Sequence, residues 1–150
     1  MRVVVQRVNK ASVSIKDQIV AKITNGLVIL LGIEVNDTQQ DCLWLARKIA
    51  SLRIFSDEDG RMNNSILDVD GEVIVVSQFT LHAKIKKGNR PSYIQAAGQE
   101  QAVELYEKFK NDLSESISKE VFSGDFGADM QVSLVNNGPV TIIIDTKNKE

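Results

Sequence analysis

The stretch Val73-Ile74-Val75-Val76-Ser77-Gln78-Phe79-Thr80-Leu81-His82-Ala83 decides how the chain is read. It begins as an apolar, β-branched strand and then runs abruptly into Ser77, Gln78 and Thr80. A buried strand that ends in hydroxyl and amide side chains must satisfy them internally or present them to a ligand. A second stretch answers it near the C-terminus, Asn136-Asn137-Gly138-Pro139-Val140-Thr141, where Gly-Pro interrupts two strand-like runs. Neither stretch has the spacing of a common catalytic motif. Together they mark a site without naming its chemistry.

Upstream of that strand, Arg2 to Val8 is a valine-rich strand. Ser12 to Lys16 alternates polar and apolar residues, and Gln18 to Thr24 continues it beyond a tight turn expected at Asp17-Gln18, as in a hairpin with one buried face. Gly26 to Ile33 is an apolar run bounded by glycine, the pattern of a strand covered on both faces. Asn36-Asp37-Thr38 offers helix caps, and Cys42, Leu45, Ala46, Ile49 and Leu52 follow at helical spacing, which predicts an amphipathic helix over residues 38–52. Cys42 falls on its apolar face and reads as a core thiol. Arg53 to Phe55 predicts a short strand and Ser56 to Gly60 a solvated turn. Asp70-Gly71 predicts a hairpin joining Ile66-Leu67-Asp68-Val69 to the central strand.

Downstream, Lys84 to Tyr93 carries Lys84, Lys86, Lys87 and Arg90 within seven residues. It reads either as a solvated loop or as a phosphate-contacting one, with Tyr93 close enough to offer a stacking face. Residues 99–117 predict a second helix with Ala102, Leu105, Tyr106, Phe109, Leu113 and Ile117 as its buried stripe. Asp125-Phe126-Gly127 and Gly124-x-x-Gly127 echo nucleotide-handling motifs in the wrong context. Gln131 to Val135 and Val140 to Ile144 are the last strands, ahead of a polar, frayed tail at 146–150. The sum is one mixed α/β domain over residues 1–150 with two long helices.

Bulk properties narrow the function. A chain of 150 residues can bury about 70% of the surface its unfolded form exposes. Its 43% apolar and 25% charged content is that of a soluble globular domain. A net charge of −2 supplies no global field to recruit nucleic acid, although screening leaves local clusters free to act over about 10 Å. One cysteine excludes an intrachain disulfide and fits a reducing compartment. No targeting segment or membrane span is expected, so a cytoplasmic location follows. One histidine and one cysteine without ligand-like spacing argue against a metal site, and no phosphate-binding glycine loop or dinucleotide fingerprint occurs. Thr80 and His82 would share a face if the strand stayed regular, which keeps a Thr-His nucleophilic pair open. The alternative is a strand-end histidine meeting solvent.

Ser77-Gln78-Phe79-Thr80-Leu81 paired with Asn137-Gly138-Pro139-Val140-Thr141 resembles the signature of the D-aminoacyl-tRNA deacylases. The likeness runs almost the full length. It takes in Val4-Val5-Gln6-Arg7-Val8, Trp44-Leu45-Ala46-Arg47-Lys48-Ile49, Leu52-Arg53-Ile54-Phe55, Lys87-Gly88-Asn89-Arg90-Pro91-Ser92 and Phe126-Gly127-Ala128-Asp129-Met130-Gln131-Val132. The resemblance implies a layered β/β/α fold and a homodimeric esterase. Its activity would release D-amino acids from tRNA, and glycine mischarged on alanine tRNA, in translation quality control without metal or organic cofactor. It implies that Ser77, Gln78, Phe79 and Thr80 hold the ester, with backbone N–H groups around Phe79 and Thr80 as an oxyanion hole. Gly138 and Pro139, through a cis peptide, would meet the α-amino group from the other subunit, and Arg7 would brace their loop. Lys84, Lys86, Lys87 and Arg90 would contact tRNA. His82 gains no catalytic role from the likeness. Beside this reading stand two others, a non-catalytic RNA-binding module and a hydrolase with Thr80 as nucleophile.

Overall fold

The strand that should have been two is one. The computed structural model, which describes residues 1–86 and 88–149, runs β1 unbroken from Arg2 to Ile15. Its two halves serve different cores. Val3 and Val5 face a core shared with the helices, whereas Val8, Ala11 and Val13 face a second core. The switch falls where the pairing of β1 with the last strand loses register, between Gln6 and Val8 and again between Val8 and Lys10. Bulges bend a strand and re-aim its side chains, so the doubled irregularity turns one strand across two layers.

The remaining elements follow from that bend. β2 (Gln18–Ile23) pairs with the C-terminal half of β1 and β3 (Gly26–Gly32) with the N-terminal half, both antiparallel. The β1–β2 turn sits at Lys16-Asp17, one residue before the expected Asp17-Gln18. Both residues have positive φ, 49° and 64°, as a two-residue hairpin turn matched to strand twist requires. β3 is buried on both faces as its run of Leu and Val predicts. Helix α1 (Gln39–Ala50) starts at Thr38, whose hydroxyl and backbone N–H both donate to Asp41 Oδ2 at 2.9 Å. A small hairpin, β4 (Phe55–Ser56) with β5 (Met62–Asn64), leads on.

Ile66 to Val69 is not a strand. Ser65 donates its N–H and hydroxyl to Asp68 Oδ2 at 2.7 Å each, which closes a local turn, and Asp70 takes φ 50°. β6 (Glu72–Ser77) then lies parallel to β3, and β7 (Val121–Ser123) parallel to β6. Between them α2 (Gln99–Ile117) buries all six residues of the expected stripe. β8 (Gln131–Asp145) is a single irregular strand along the other edge of β1. The result is the layered β/β/α arrangement. Val28, Ile74 and Val76 meet the bent β1–β2 layer, while Leu27, Ile29, Val73 and Val75 meet α1 and α2. The C-terminal segment is docked rather than frayed at its start: Thr146 is buried, and Lys147 Nζ reaches Asp41 Oδ2 at 2.9 Å. Among the described residues no helix is long and apolar enough to cross a membrane.

Candidate active site

β6 ends at Ser77 because the chain turns there into a single 3₁₀ turn, η1 (Phe79–His82), instead of continuing extended. Gln78 N–H, donating to Leu31 O at 2.7 Å, is the last sheet-like bond. The turn then closes through Leu81 N–H to Gln78 O and Ala83 N–H to Thr80 O. The first N–H groups of any helical turn have no acceptor within it. Phe79 and Thr80 occupy those positions, and among the described residues neither N–H has a protein acceptor.

Phe79, the first residue of this turn, borders a cleft of about 580 Å³. Leu31, Ile33 and Val76 form its apolar floor, Ser77 to Phe79 one wall, and Phe126 to Met130 the other, with Gln99 and Ala102 of α2 at its end. Phe126 is held from behind by Tyr106, ring to ring at 5.4 Å, and the Tyr106 hydroxyl donates to Val75 O at 2.9 Å. Phe79 is 56% exposed, large for an aromatic ring, and leans edge-on against Tyr93 at 4.9 Å. The Phe126–Met130 wall was legible only as part of a family-like segment. Its local pattern, read as a stray nucleotide-motif echo, concealed that Phe126 and Met130 offer an aromatic and a soft apolar surface opposite Phe79.

Thr80 and His82 do not form a pair, because the regular strand that would have aligned them ends three residues earlier than Thr80. The Thr80 hydroxyl takes a hydrogen bond from Gln78 Nε2. His82 is 3% exposed, not a solvent-facing strand end, and its Nδ1 faces Glu34 Oε2 at 3.6 Å. Among the described residues no cluster of three His, Cys, Asp or Glu side chains could hold a metal.

Gly138 and Pro139 lie elsewhere. They occupy the β8 bulge between Asn136, opposite Val8, and Thr141, opposite Gln6. Their peptide is cis, both residues are exposed, and Gly138 takes φ 118°. Arg7, 8% exposed, lies behind the loop, donating from Nε to Asn137 O at 3.2 Å and from Nη1 to Ile54 O at 2.5 Å. Asn136 Nδ2 donates to Arg7 O and Val140 O at 2.9 and 3.0 Å, which fixes both ends of the bulge. Arg7 is level with Leu27 and Val73, whereas Ser77 lies four residues further along β6. Three strand spacings across and four rises along put the loop roughly 20 Å from Ser77 of the same chain. One subunit therefore does not bring the two signature stretches together.

In the basic loop, Lys84 and Ser92 exchange backbone hydrogen bonds at 2.8 and 3.0 Å and close its base. Lys86 and Arg90 project into solvent, and Lys87 lies outside the described residues. Tyr93, next to the base, links this loop to Phe79 at the cleft.

Comparison with known proteins agrees with the geometry. The model of the D-Tyr-tRNA(Tyr) deacylase family matches residues 4–145. A D-aminoacyl-tRNA deacylase of Bacteroides thetaiotaomicron is 60% identical over 150 residues, all of both chains, and one of Flavobacterium psychrophilum is 59% identical over the same span. Among solved structures, a c-Myc DNA unwinding element binding protein superposes with a TM-score of 0.90 at 40% identity, covering 97% of this chain and 98% of that one. A probable eukaryotic D-amino acid tRNA deacylase superposes at 0.80 and 16% identity, a likeness of fold, over 95% and 97% of the two chains. Full-length identity at this level, joined to a family model that matches residues 4–145, places the chain in the D-aminoacyl-tRNA deacylase family of hydrolases acting on aminoacyl-tRNA.

Proposed function

We propose that the cleft binds the terminal adenosine of tRNA with its D-aminoacyl ester and that the protein's main chain performs the hydrolysis. The observation that carries this reading is the pair of unclaimed N–H groups on Phe79, which lines the cleft, and on Thr80, next to it in the chain. Fixed donors aimed at a developing oxyanion are worth about 10²–10³ in rate each. The cleft volume lies in the usual range for a nucleoside-sized ligand, about 300–1,000 Å³. Phe79, Phe126 and Met130 offer the base apolar and aromatic faces. Gln78, whose amide already donates to Thr80, orients the ribose or the attacking water. Water attacks the ester carbonyl carbon, and the neighbouring ribose hydroxyl assists as the acyl–oxygen bond breaks and the ribose oxygen leaves and takes up a proton.

The second half of the site comes from a second copy of the chain. Gly138 and Pro139 are exposed and rigidly backed yet roughly 20 Å from the cleft of their own subunit. In a two-fold dimer each loop enters the partner's cleft, where main-chain carbonyls receive the substrate's α-ammonium. Arg7 holds the loop in place. Rigid backbone against the α-carbon excludes a side chain in the L direction whatever its identity, while a D side chain fits and glycine cannot be rejected. Tuned side-chain contacts could not achieve that, since a methylene is worth only about 1–3 kcal/mol. Lys84, Lys86, Lys87 and Arg90 track the phosphates of tRNA, and the reaction belongs in the cytoplasm.

Matched D-, L- and glycyl-aminoacyl-tRNA incubated with the protein test the reaction: D-esters and glycine should be cleaved and L-esters spared. Equal cleavage of D- and L-esters would refute the steric filter. Sedimentation tests the sharing of the site. A monomer with full activity would refute it.

A further inference from the structure

Among the described residues two buried polar side-chain atoms lack a hydrogen-bond partner, Asp112 Oδ2 and His82 Nε2. Asp112 belongs to α2 and is paired through its other oxygen with Lys108. His82 ends the turn that carries Phe79 and Thr80, and no part of the mechanism above uses it.

The surroundings of that turn give the imidazole a purpose. A one-turn helix has few internal bonds, so its orientation depends on external anchors. Three are visible. Gln78 N–H holds the entry to Leu31 O at 2.7 Å, and Arg2 Nη1 donates to Leu81 O at 2.7 Å while its Nη2 pairs with Asp145 Oδ2 at 2.8 Å. The third is His82, whose Cδ2 would lie 3.0 Å from a Cβ built on Gly32, beside Gln78 O at 2.9 Å and Leu81 Cβ at 3.0 Å. The turn therefore rests directly on the Gly32 backbone, where no side chain exists to stop it sliding. The His82 ring fills that role, with its Nδ1 facing Glu34 Oε2 at 3.6 Å. Glu34 is itself fixed, its N–H donating to Asp37 Oδ2 at 2.7 Å and its backbone bridged to Ala96.

We propose that His82 is a positioning residue: packed on Gly32 and facing Glu34, it sets the orientation of the turn that carries the unclaimed Phe79 and Thr80 N–H groups beside the cleft. The inference rests on the reading that those groups receive the ester's carbonyl oxygen. It predicts a defect in the chemical step rather than in tRNA binding.

The test compares wild type, His82→Phe, His82→Asn, Glu34→Gln and the double variant His82→Phe/Glu34→Gln. Single-turnover cleavage of D-aminoacyl-tRNA, tRNA affinity and melting temperature are measured on the same preparations. His82→Phe keeps ring volume and should lower the cleavage rate about 10- to 100-fold, the scale of a small misplacement of catalytic groups, with tRNA affinity within about 2-fold. His82→Asn, which restores a donor toward Glu34, should recover part of the rate. The double variant should be no slower than His82→Phe, because both remove one interaction. A rate unchanged in His82→Phe, a defect confined to tRNA affinity, or strictly additive effects would overturn the proposal. If His82→Phe does not fold, Glu34→Gln decides alone, and an unchanged rate there is refutation. An acyl-enzyme trapped on Thr80 of wild type would instead overturn the main-chain mechanism, which separates the two failures.

Discussion

Gly138→Ala is the sharpest single perturbation of the shared site. At φ 118° an L side chain is strained, at about 1–3 kcal/mol for a sparsely populated backbone region. The new Cβ would also stand 2.8 Å from Arg7 Nη2 and 3.0 Å from Val140 Cγ2. Arg7 cannot yield freely, since its Nε and Nη1 are committed to Asn137 O and Ile54 O. Breaking one charge-assisted bond adds about 1.5–3 kcal/mol. If the bulge relaxes part of this, the net cost is about 2–4 kcal/mol, or roughly 5–15 °C in melting temperature for a chain of this size. Either relaxation displaces the loop proposed to face the partner's substrate, so activity should fall further than stability, and any residual cleavage should discriminate less between D- and L-esters. Arg7→Met serves as the companion, relieving the clash but removing the brace. The assay is urea unfolding beside initial rates on paired D- and L-aminoacyl-tRNA. Gly138→Ala with wild-type melting and chiral ratio would refute the claim that this bulge is a fixed, glycine-dependent filter.

Three further outcomes follow from the structure. Thr80→Ala keeps its backbone N–H and should retain activity within about 10²-fold, the range of one positioning interaction, whereas a substrate lacking the ribose hydroxyl next to the ester should be cleaved far more slowly; full activity on the deoxy substrate would refute the role of that hydroxyl. Neutralising Lys86, Lys87 and Arg90 together should weaken tRNA binding and flatten its salt dependence, by about 0.7–0.9 in log–log slope for each phosphate no longer neutralised; an unchanged slope would make the loop a solvated face. Burial, reinforced by the Asp112 carboxylate, pushes the Cys42 thiol up to about 12, and its sulfhydryl donates to Leu105 O at 3.4 Å. It should resist thiol reagents at neutral pH until the protein unfolds, and rapid labelling of the native form would contradict its burial.

An unbroken apolar run made β3 legible and periodic, one-sided burial made α1 and α2 legible, because Leu27 to Leu31 or Leu105 to Ile117 has no second arrangement that hides the same side chains. Local polar closure was harder. Ser65-x-x-Asp68 carries the spacing of a side-chain-capped turn, and that bond overrode the apolar character of Ile66, Leu67 and Val69. The hairpin turn shifted onto Lys16-Asp17 because neither residue is glycine, so nothing in their identity announces positive φ. The continuity of β1 was hidden for another reason: whether a strand bends or stops depends on β8, some 130 residues away. Site residues divided the same way. Ser77, Gln78 and Thr80, the candidate site residues, stand out in sequence as polar groups closing an apolar strand. The burial of His82 depends on the absence of a side chain at Gly32, and the use of Phe126 depends on Tyr106 behind it, neither of which a linear pattern contains.

The absence of a recognisable nucleophile and the proposed demand for a second subunit have one physical origin. Discriminating mirror-image substrates without regard to side chain requires surfaces that do not vary, and main chain held in a fixed bulge is the least variable surface a protein has. In this subunit, register and spacing hold the Gly138 loop about 20 Å from the Ser77 turn. Two-fold symmetry solves the geometry, since each loop then needs only to reach across an axis. In the proposed dimer, cleavage and discrimination would depend on the same assembly. A dissociated subunit would keep the N–H groups of Phe79 and Thr80 but lose both the acceptor for the α-ammonium and the wall that excludes L-residues. Removal of the partner would thus switch the site off instead of releasing an unselective esterase onto correctly charged tRNA.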